Sequence, residues 1–396
     1  MTTDRTPLAE AAAEARALVR RHAADLGDPV AFLGAQFDAG LAWVHFPEGR
    51  GGRGWSRSAQ AEVDRVLSEA GAPDGYARNP IGHGMAAATI LAWGDDAQRD
   101  RYLRPLWTGE EIWCQLFSEP GAGSDLAAVR TRAVRDGDTW VVDGHKIWTS
   151  MAHHARFAIL LARTDPEQPK HQGLTYFVCD MRAAGVEVRP LRQITGEAEF
   201  NEVFLTGVRV PDTARLGAVG DGWRVARTTL GNERVAIGAR PEPREGGMAG
   251  LTARLWRERP ERRSHGLHRR LLHGWVRAEA ARLAGERLRQ LMELGAPGPE
   301  GSAGKLAFAV VNQELSGLAV DILGEDGLRF GDYTMTRPTE LAFFGKDPTW
   351  DYLRSRANSI EGGTSEVLKN VIGEQVLGLP REPAVDRGIP WKDIPR

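Results

Sequence analysis

The run from Trp223 to Ala239 has helical periodicity, with apolar residues at Trp223, Ala226, Leu230 and Ile237. The same rhythm lands on Glu233, which places a carboxylate within an otherwise apolar stripe. Such a group is costly to bury unless it is paired or its pKa is raised. A raised pKa is what a general base needs to take a proton near neutral pH. The alternative is a buried ion pair with Arg224, Arg227 or the adjoining Arg234. Of the two readings, chemistry is the favoured one.

Three loops offer surfaces on which a ligand could lie. In Trp113–Ala127 a strand ends at Phe117-Ser118, and Pro120, Gly121 and Gly123 then force a turn that exposes backbone N–H groups. Small residues let that backbone approach a ligand closely, while Ser118 and Ser124 add hydroxyls. Such a loop suits a flat heteroaromatic edge or a pyrophosphate; an ordinary Gly/Pro turn is the plain alternative. In Asp143–Ser150, Trp148 offers a stacking face, followed by the hydroxyls of Thr149 and Ser150. In Ser359–Asn370, Gly362-Gly363 breaks the chain before a helix expected to start near Thr364, whose free N–H groups favour anionic or polar atoms. Here a simple helix cap is the plain alternative.

The elements that must hold these stretches fall into three zones. Helical patterns run over Ala11–Ala24, Ala59–Ala70, Met85–Trp93 and Ala97–Trp107, with a Gly-rich break at Pro47–Gly54. Strand patterns follow from Ile112 to about Leu216, including an expected tight hairpin at Asp136-Gly137-Asp138. Helical periodicity returns from Asp221 to about Gly378, interrupted by Gly331–Pro348. Arg240–His265, dense in Pro, Glu, Gly and Arg, is expected to be a surface excursion. The fold class read from this order is α+β, with an N-terminal helical domain (1–111), a middle β-domain (112–218) and a C-terminal helical bundle (219–396).

Composition narrows the function. A net charge of -2 gives no field that would draw nucleic acid or an anionic membrane. Only six of the 51 basic residues are lysine, a bias that balanced acids make genomic rather than functional. Cys114 and Cys179 form no metal spacing or disulfide framework, and the ten histidines show no ligand spacing, so no metal is expected. The acidic N-terminal segment argues against a signal or transit peptide, and no uncharged run is long enough to insert in a membrane. A cytoplasmic protein is expected. Two motifs are rejected. Gly82–Ala87 imitates a dinucleotide fingerprint without the strand it needs, and Gly301-Ser-Ala-Gly304-Lys305 imitates a phosphate loop with the wrong spacing and Leu306 at the magnesium position.

In this order, Phe117–Asp125, Lys146–Ser150, Asn232–Gly238 and Gly362–Glu366 with its Leu377-Gly-Leu-Pro380 tail resemble the acyl-CoA dehydrogenase family, from about Leu8 to Arg381. Each motif is moderately specific; four in register are strong. The resemblance implies FAD between β-domain and C-terminal bundle, contacted by Phe117, Ser118, Gly123, Ser124, Trp148, Thr149 and Ser150, with Thr364 and Glu366 near its other end. It places Ser124, Arg234 and Gly362 on the substrate side. It implies α,β-dehydrogenation of an acyl-CoA thioester in lipid metabolism, a glutamate taking the α-proton and the β-hydrogen passing as hydride to flavin N5. It also implies an electron-transfer flavoprotein as acceptor and a homodimer or homotetramer.

The sequence departs from the family pattern at one point. Most members carry the base directly before Gly-Thr of the last motif, where this chain has Gly362. A minority supplies it from the helix that here carries Glu233. Glu233 is therefore the first candidate and Glu361 the second, with Gly362 left to offer its N–H to the thioester. The competing functions are a flavin oxidase or monooxygenase on the same scaffold, and a non-catalytic subunit of a hetero-oligomeric dehydrogenase. The arginine-rich stretch Arg244–Arg263 is either a contact for CoA phosphates or, the favoured reading, solvated surface.

Overall fold

The computed structural model describes residues 5–238, 243–293, 301–384, 386 and 388–394. The N-terminal helices are α1 (Arg5–Arg21), α2 (Pro29–Asp38), α3 (Ser58–Glu69), α4 (Ala87–Trp93) and α5 (Asp96–Thr108). Ala11, Ala15 and Leu18 of α1 pack on Val63, Val66 and Leu67 of α3, the i, i+3/i+4 match that the Ala-rich pattern foretold. Helix α2 is an addition to the sequence reading. Asp28 caps it by accepting from the Val30 and Ala31 amides at 3.1 Å, and Pro29 opens it. The Gly-rich break after it folds back on itself. At Gly52 a β-carbon would stand 2.1 Å from the Phe46 carbonyl, so only glycine fits.

The middle of the chain forms a mixed sheet of β1 (Trp113–Leu116), β2 (Arg132–Asp136), β3 (Thr139–Ser150), β4 (Phe157–Arg163), β5 (Leu174–Asp180), β6 (Val186–Leu191), β7 (Phe200–Pro211) and β8 (Arg215–Leu216). Strand order is β6-β7-β3-β2-β4-β5-β8, with β1 parallel to β4. The β2–β3 hairpin turns at Gly137-Asp138 as expected, Asp136 pairing with Thr139. Strand β4 is buried along its whole length, which its continuous apolar run requires. Cys114 and Cys179 are buried beside it as free thiols.

The C-terminal helices are α6 (Gly222–Gly238), α7 (Gly247–Glu258), α8 (His265–Glu293), α9 (Gly301–Leu323), α10 (Pro348–Ser355) and α11 (Ser365–Val371). The helix–sheet–helix order confirms the α+β class. Helix α9 is central, packed by α6, α7, α8 and α10. By length and composition Gly301–Leu328 could cross a membrane, but this segment buries Ser302, Lys305, Asn312 and Ser316 among its neighbours. The expected surface excursion at Arg240–His265 is corrected: Gly247–Glu258 is helix, and Met248, Ala249 and Ala253 are buried in the C-terminal core. Met248, Leu251 and Leu255 recur at helical spacing and pack there, a signal that the surrounding charges masked.

Candidate active site

Helix α6 lies between the β-sheet and the N-terminal helices. Thr229, fully buried on it, shares hydrogen bonds with Tyr176 Oη on β5 (2.8 Å) and Thr89 Oγ1 on α4 (2.9 Å). The buried stripe is Val225, Ala226 and Thr229, rotated slightly from the expected one; Trp223 and Leu230 are half-buried at its flanks. Glu233 follows Thr229 by four residues, one turn further along that face, and is half-buried. Its charge reaches Tyr176, whose phenol is held far above the usual tyrosine range, first by burial. The Arg234 side chain lies outside the described residues.

Tyr176 leads to the first loop. Its ring meets Phe117 edge-on at 5.8 Å. Beyond Phe117, Glu119 and Ala122 exchange backbone hydrogen bonds around Pro120-Gly121. The loop is anchored from beneath by Lys146, fully buried, whose ammonium donates at 2.9 Å to each of the Phe117 carbonyl, the Leu161 carbonyl and Glu119 Oε1. Glu119 in turn accepts from the Arg130 and Thr131 amides. Burial lowers the Lys146 pKa and Glu119 opposes it; Glu119 stays below the ordinary carboxylate value because Lys146 and these donors outweigh its own desolvation. Ser118 accepts the Ile147 amide at its carbonyl, which ties the loop to β3. Gly121, Gly123 and Ser124 are exposed at the loop's lip, and where β-carbons would stand on Gly121 and Gly123 no protein atom lies within 4 Å.

Two residues past Lys146, β3 slips out of register with β7. At this bulge Trp148 takes φ 59°, a left-handed backbone rare for an aromatic residue, and its indole is 56% exposed. Strain of that kind gathers at ligand sites, where surrounding structure enforces it. Trp148 meets Phe200 edge-on at 5.8 Å. Thr149 is buried, and its hydroxyl has no hydrogen-bond partner among the described residues, whereas its carbonyl accepts from Asn201. Ser150 is half-buried beside it.

Phe200 leads to the last loop. Arg354, buried on α10, lies 5.8 Å from the Phe200 ring centre and pairs in a fork with both Glu361 oxygens at 3.2 and 3.0 Å. Asn358 Nδ2 donates to the same carboxylate at 2.6 Å. On its other side Arg354 Nε stands 3.2 Å from Glu199 Oε1, within ion-pairing range but off the donor axis. Burial raises the Glu199 pKa to about 7 against the pull of Arg354. Glu361 is thus held in a structural network. Gly362 and Gly363 follow with φ 61° and 92°, and Thr364 caps α11 by accepting the Val367 amide. Glu366 is exposed in the first turn of α11.

Sequence reasoning missed Lys146, Tyr176, Glu199, Lys305 and Arg354. Two of these carried a local signal. Lys146 stands at the inward parity of β3 after Trp140 and Val142, and Lys305 lies in the buried α9 stripe with Ala309, Asn312 and Ser316.

The family description "Acyl-CoA dehydrogenase, N-terminal domain" matches residues 6–110, the "middle domain" matches 114–208 and the "C-terminal domain" matches 220–377. The chain belongs to the acyl-CoA dehydrogenase family. Acyl-CoA dehydrogenase FadE34 of Mycobacterium tuberculosis is 42% identical over 87% of this chain, which spans only 45% of that relative's length. Acyl-CoA dehydrogenase IpdE1 of the same organism is 37% identical, over 87% of this chain and 86% of its own. Among solved structures, the ChsE4–ChsE5 complex from Mycobacterium tuberculosis superposes with a TM-score of 0.71 at 26% identity, covering 96% of this chain and 99% of the matched one. Members of the acyl-CoA dehydrogenase family are oxidoreductases acting on CH–CH groups, and they are flavoproteins.

The residues here fit an isoalloxazine. An orphaned buried hydroxyl at Thr149, an exposed indole forced outward at Trp148 and open glycines at 121 and 123 are what a flat polar ring requires. One consequence separates binding from stability. Replacing Trp148 by glycine relieves the left-handed backbone and surrenders little burial, so stability should stay within about 1 kcal/mol. Loss of the aromatic face should weaken FAD binding roughly tenfold, read by fluorescence titration of apoprotein.

Proposed function

We propose that the chain catalyses FAD-dependent α,β-dehydrogenation of an acyl-CoA thioester with Glu233 as base. The observation that carries this reading is the placement of Glu233 on the buried side of α6, within electrostatic reach of Tyr176, which touches Phe117 at the loop that would hold the ring. Phe117, Ser118, Trp148, Thr149 and Ser150 would hold the flavin, Gly123 and Ser124 the join to the pantetheine arm, and Thr364 and Glu366 the far end of the cofactor. Bound there, FAD supplies the two-electron oxidant that takes the β-hydrogen as hydride. Glu233 accepts the α-proton. The Gly362 N–H, on a turn that only glycine adopts cheaply, donates to the thioester oxygen as negative charge develops there. Tyr176 and Thr229 keep water from the protein side of the base. Glu361, doubly bound by Arg354 and bonded by Asn358, has its lone pairs engaged and is the weaker candidate.

The natural acceptor on this reading is an electron-transfer flavoprotein, the setting cytoplasmic, and the assembly a homodimer or homotetramer. A second reading draws on Gly362 at the usual position of the base and on the two-protein ChsE4–ChsE5 complex: a non-catalytic subunit of a hetero-oligomeric dehydrogenase. Anaerobic addition of a panel of acyl-CoA thioesters to the purified yellow chain decides between them. Bleaching with formation of the enoyl thioester supports dehydrogenation. A chain that stays yellow with every thioester supports the second reading, and reoxidation by air with peroxide release marks an oxidase.

A further inference from the structure

Lys146 anchors the first half of the loop after β1, and the second half is held by different residues. Past Ser124 the chain makes a short turn at Leu126–Ala128, and the carbonyls of Ala127, Ala128 and Val129 all meet donors from outside the loop. Arg163, buried at the end of β4, donates to Ala127 at 2.6 Å and to Val129 at 3.2 Å. The Trp391 indole N–H donates to Ala128 at 3.4 Å, and its ring centre lies 4.5 Å from the Arg163 guanidinium carbon. Every hydrogen bond that Arg163 makes among the described residues goes to a carbonyl. The indole face therefore gives this buried cation a second electron-rich surface.

Trp391 belongs to residues 388–394, which lie across the connection between β4 and β5. Pro169 and Pro390 meet in an isolated bridge, the Trp391 amide donates to the Gln168 carbonyl at 2.9 Å, and the Lys392 amide donates to the Pro166 carbonyl at 3.2 Å. From the same connection Lys170 reaches back to the loop. Its ammonium donates to both Asp125 oxygens at 3.0 and 2.9 Å and to Asp386 at 2.5 Å. An exposed ion pair would fix little, but the Lys170 side chain is only 15% exposed and joins two carboxylates. Both ends of the 125–128 stretch are thus tied to a segment that follows it by 263 positions at the Trp391–Ala128 contact.

We propose that the segment carrying Asp386 and Trp391 is a strap that fixes the outer half of the loop, with Trp391 and Lys170 as positioning residues for Gly123 and Ser124. The inference rests on the reading of those two residues as the join between flavin and pantetheine arm. A loop held in its bound shape spares the substrate the cost of ordering it, so releasing the strap weakens binding. Glu233 stands on a different element, α6, so proton removal from bound substrate should keep its rate.

The experiment compares the FAD-loaded wild type with Trp391→Ala, Lys170→Met, Lys170→Arg and Lys392→Met, with thermal melts as the check on folding. Lys392 serves as control, because it lies on the strap but pairs with Glu167. Amide hydrogen exchange is followed at Ala128 and Val129, whose N–H groups bond the Asp125 and Leu126 carbonyls. KM and kcat are measured with the acyl-CoA that bleaches the wild-type flavin. Trp391→Ala and Lys170→Met should speed exchange at those amides about tenfold. They should raise KM about five- to tenfold while kcat stays within about twofold, the mark of lost binding rather than lost chemistry. Lys170→Arg, which keeps the charge, should return KM to within about twofold of wild type, and Lys392→Met should leave exchange and KM unchanged. Unchanged exchange in Trp391→Ala, a deficit in kcat alone, or an equal rise of KM in Lys392→Met would overturn the proposal. So would a lower melting temperature with wild-type exchange and KM, since that is a structural role only. Should Trp391→Ala not fold, Lys170→Met against Lys170→Arg decides: a KM rise confined to methionine supports the strap, and equal values refute it. If no thioester reduces the wild-type flavin, the dehydrogenase reading fails on its own. Fluorescence titration of the apoproteins with FAD then takes the place of KM, weaker binding in Trp391→Ala supporting the strap and wild-type binding refuting it.

Discussion

Replacing Glu233 by glutamine should slow anaerobic reduction of the bound flavin by an acyl-CoA about a hundred- to ten-thousand-fold, the usual contribution of a placed general base. FAD binding should survive, because the residues that would hold the ring lie on the sheet and its loops and not on α6: Phe117 follows β1 directly, and Trp148 and Thr149 stand on β3. Stability should also change little. The amide is nearly isosteric, and the fully buried part of the α6 contact is made by Val225, Ala226 and Thr229. Stopped-flow reduction, with the visible spectrum as internal control, separates the two quantities. A rate within a few-fold of wild type would move the base elsewhere, Glu361 being next in line.

Replacing Lys146 by methionine is expected to have the largest effect on stability. Its ammonium serves three acceptors at once, and one is a carboxylate that is itself buried. Removing one partner of such a pair leaves an uncompensated charge, which costs about 3–5 kcal/mol. Urea denaturation measures the loss. Adding Glu119→Gln should recover part of it, because the orphaned charge disappears, while the single amide oxygen still serves one of the Arg130 and Thr131 N–H groups. Both variants should also bind FAD less tightly, since the Phe117 carbonyl loses its anchor and the loop loosens. Full stability in the single variant would mean that water or a repacked neighbour replaces the ammonium.

Much of this was legible in the residues. The period-2 run of β3, the Gly137-Asp138 turn and the Ala-rich faces of α1 and α3 follow from local pattern, because burial on one face is what those patterns encode. Gly362 and Trp148 were singled out as a chain break and a stacking face, and Phe117 by the family resemblance, whereas the left-handed backbone at Trp148 became visible only in the fold. The Glu199–Arg354–Glu361 network was not legible, since its members lie 155 and 7 residues apart and each looks like an ordinary surface charge until the fold buries it. Helix α7 was hidden for the opposite reason: a few apolar residues at helical spacing were outnumbered by arginine and glutamate. Lys305 was read against a phosphate-loop template and failed it. Read against the buried stripe of its own helix, it stands out as a buried lysine that donates to the Asn358 and Gly363 carbonyls.

The central claim is that a carboxylate on α6 meets the α-carbon of an acyl thioester. A structure of the FAD-loaded protein with an unreactive acyl thioester tests it most directly. The account predicts Glu233 oxygens within contact of the substrate α-carbon, with the Gly362 N–H on the thioester oxygen and Glu361 still paired with Arg354. An α-carbon facing Glu361 freed from Arg354, or facing no carboxylate at all, would contradict it.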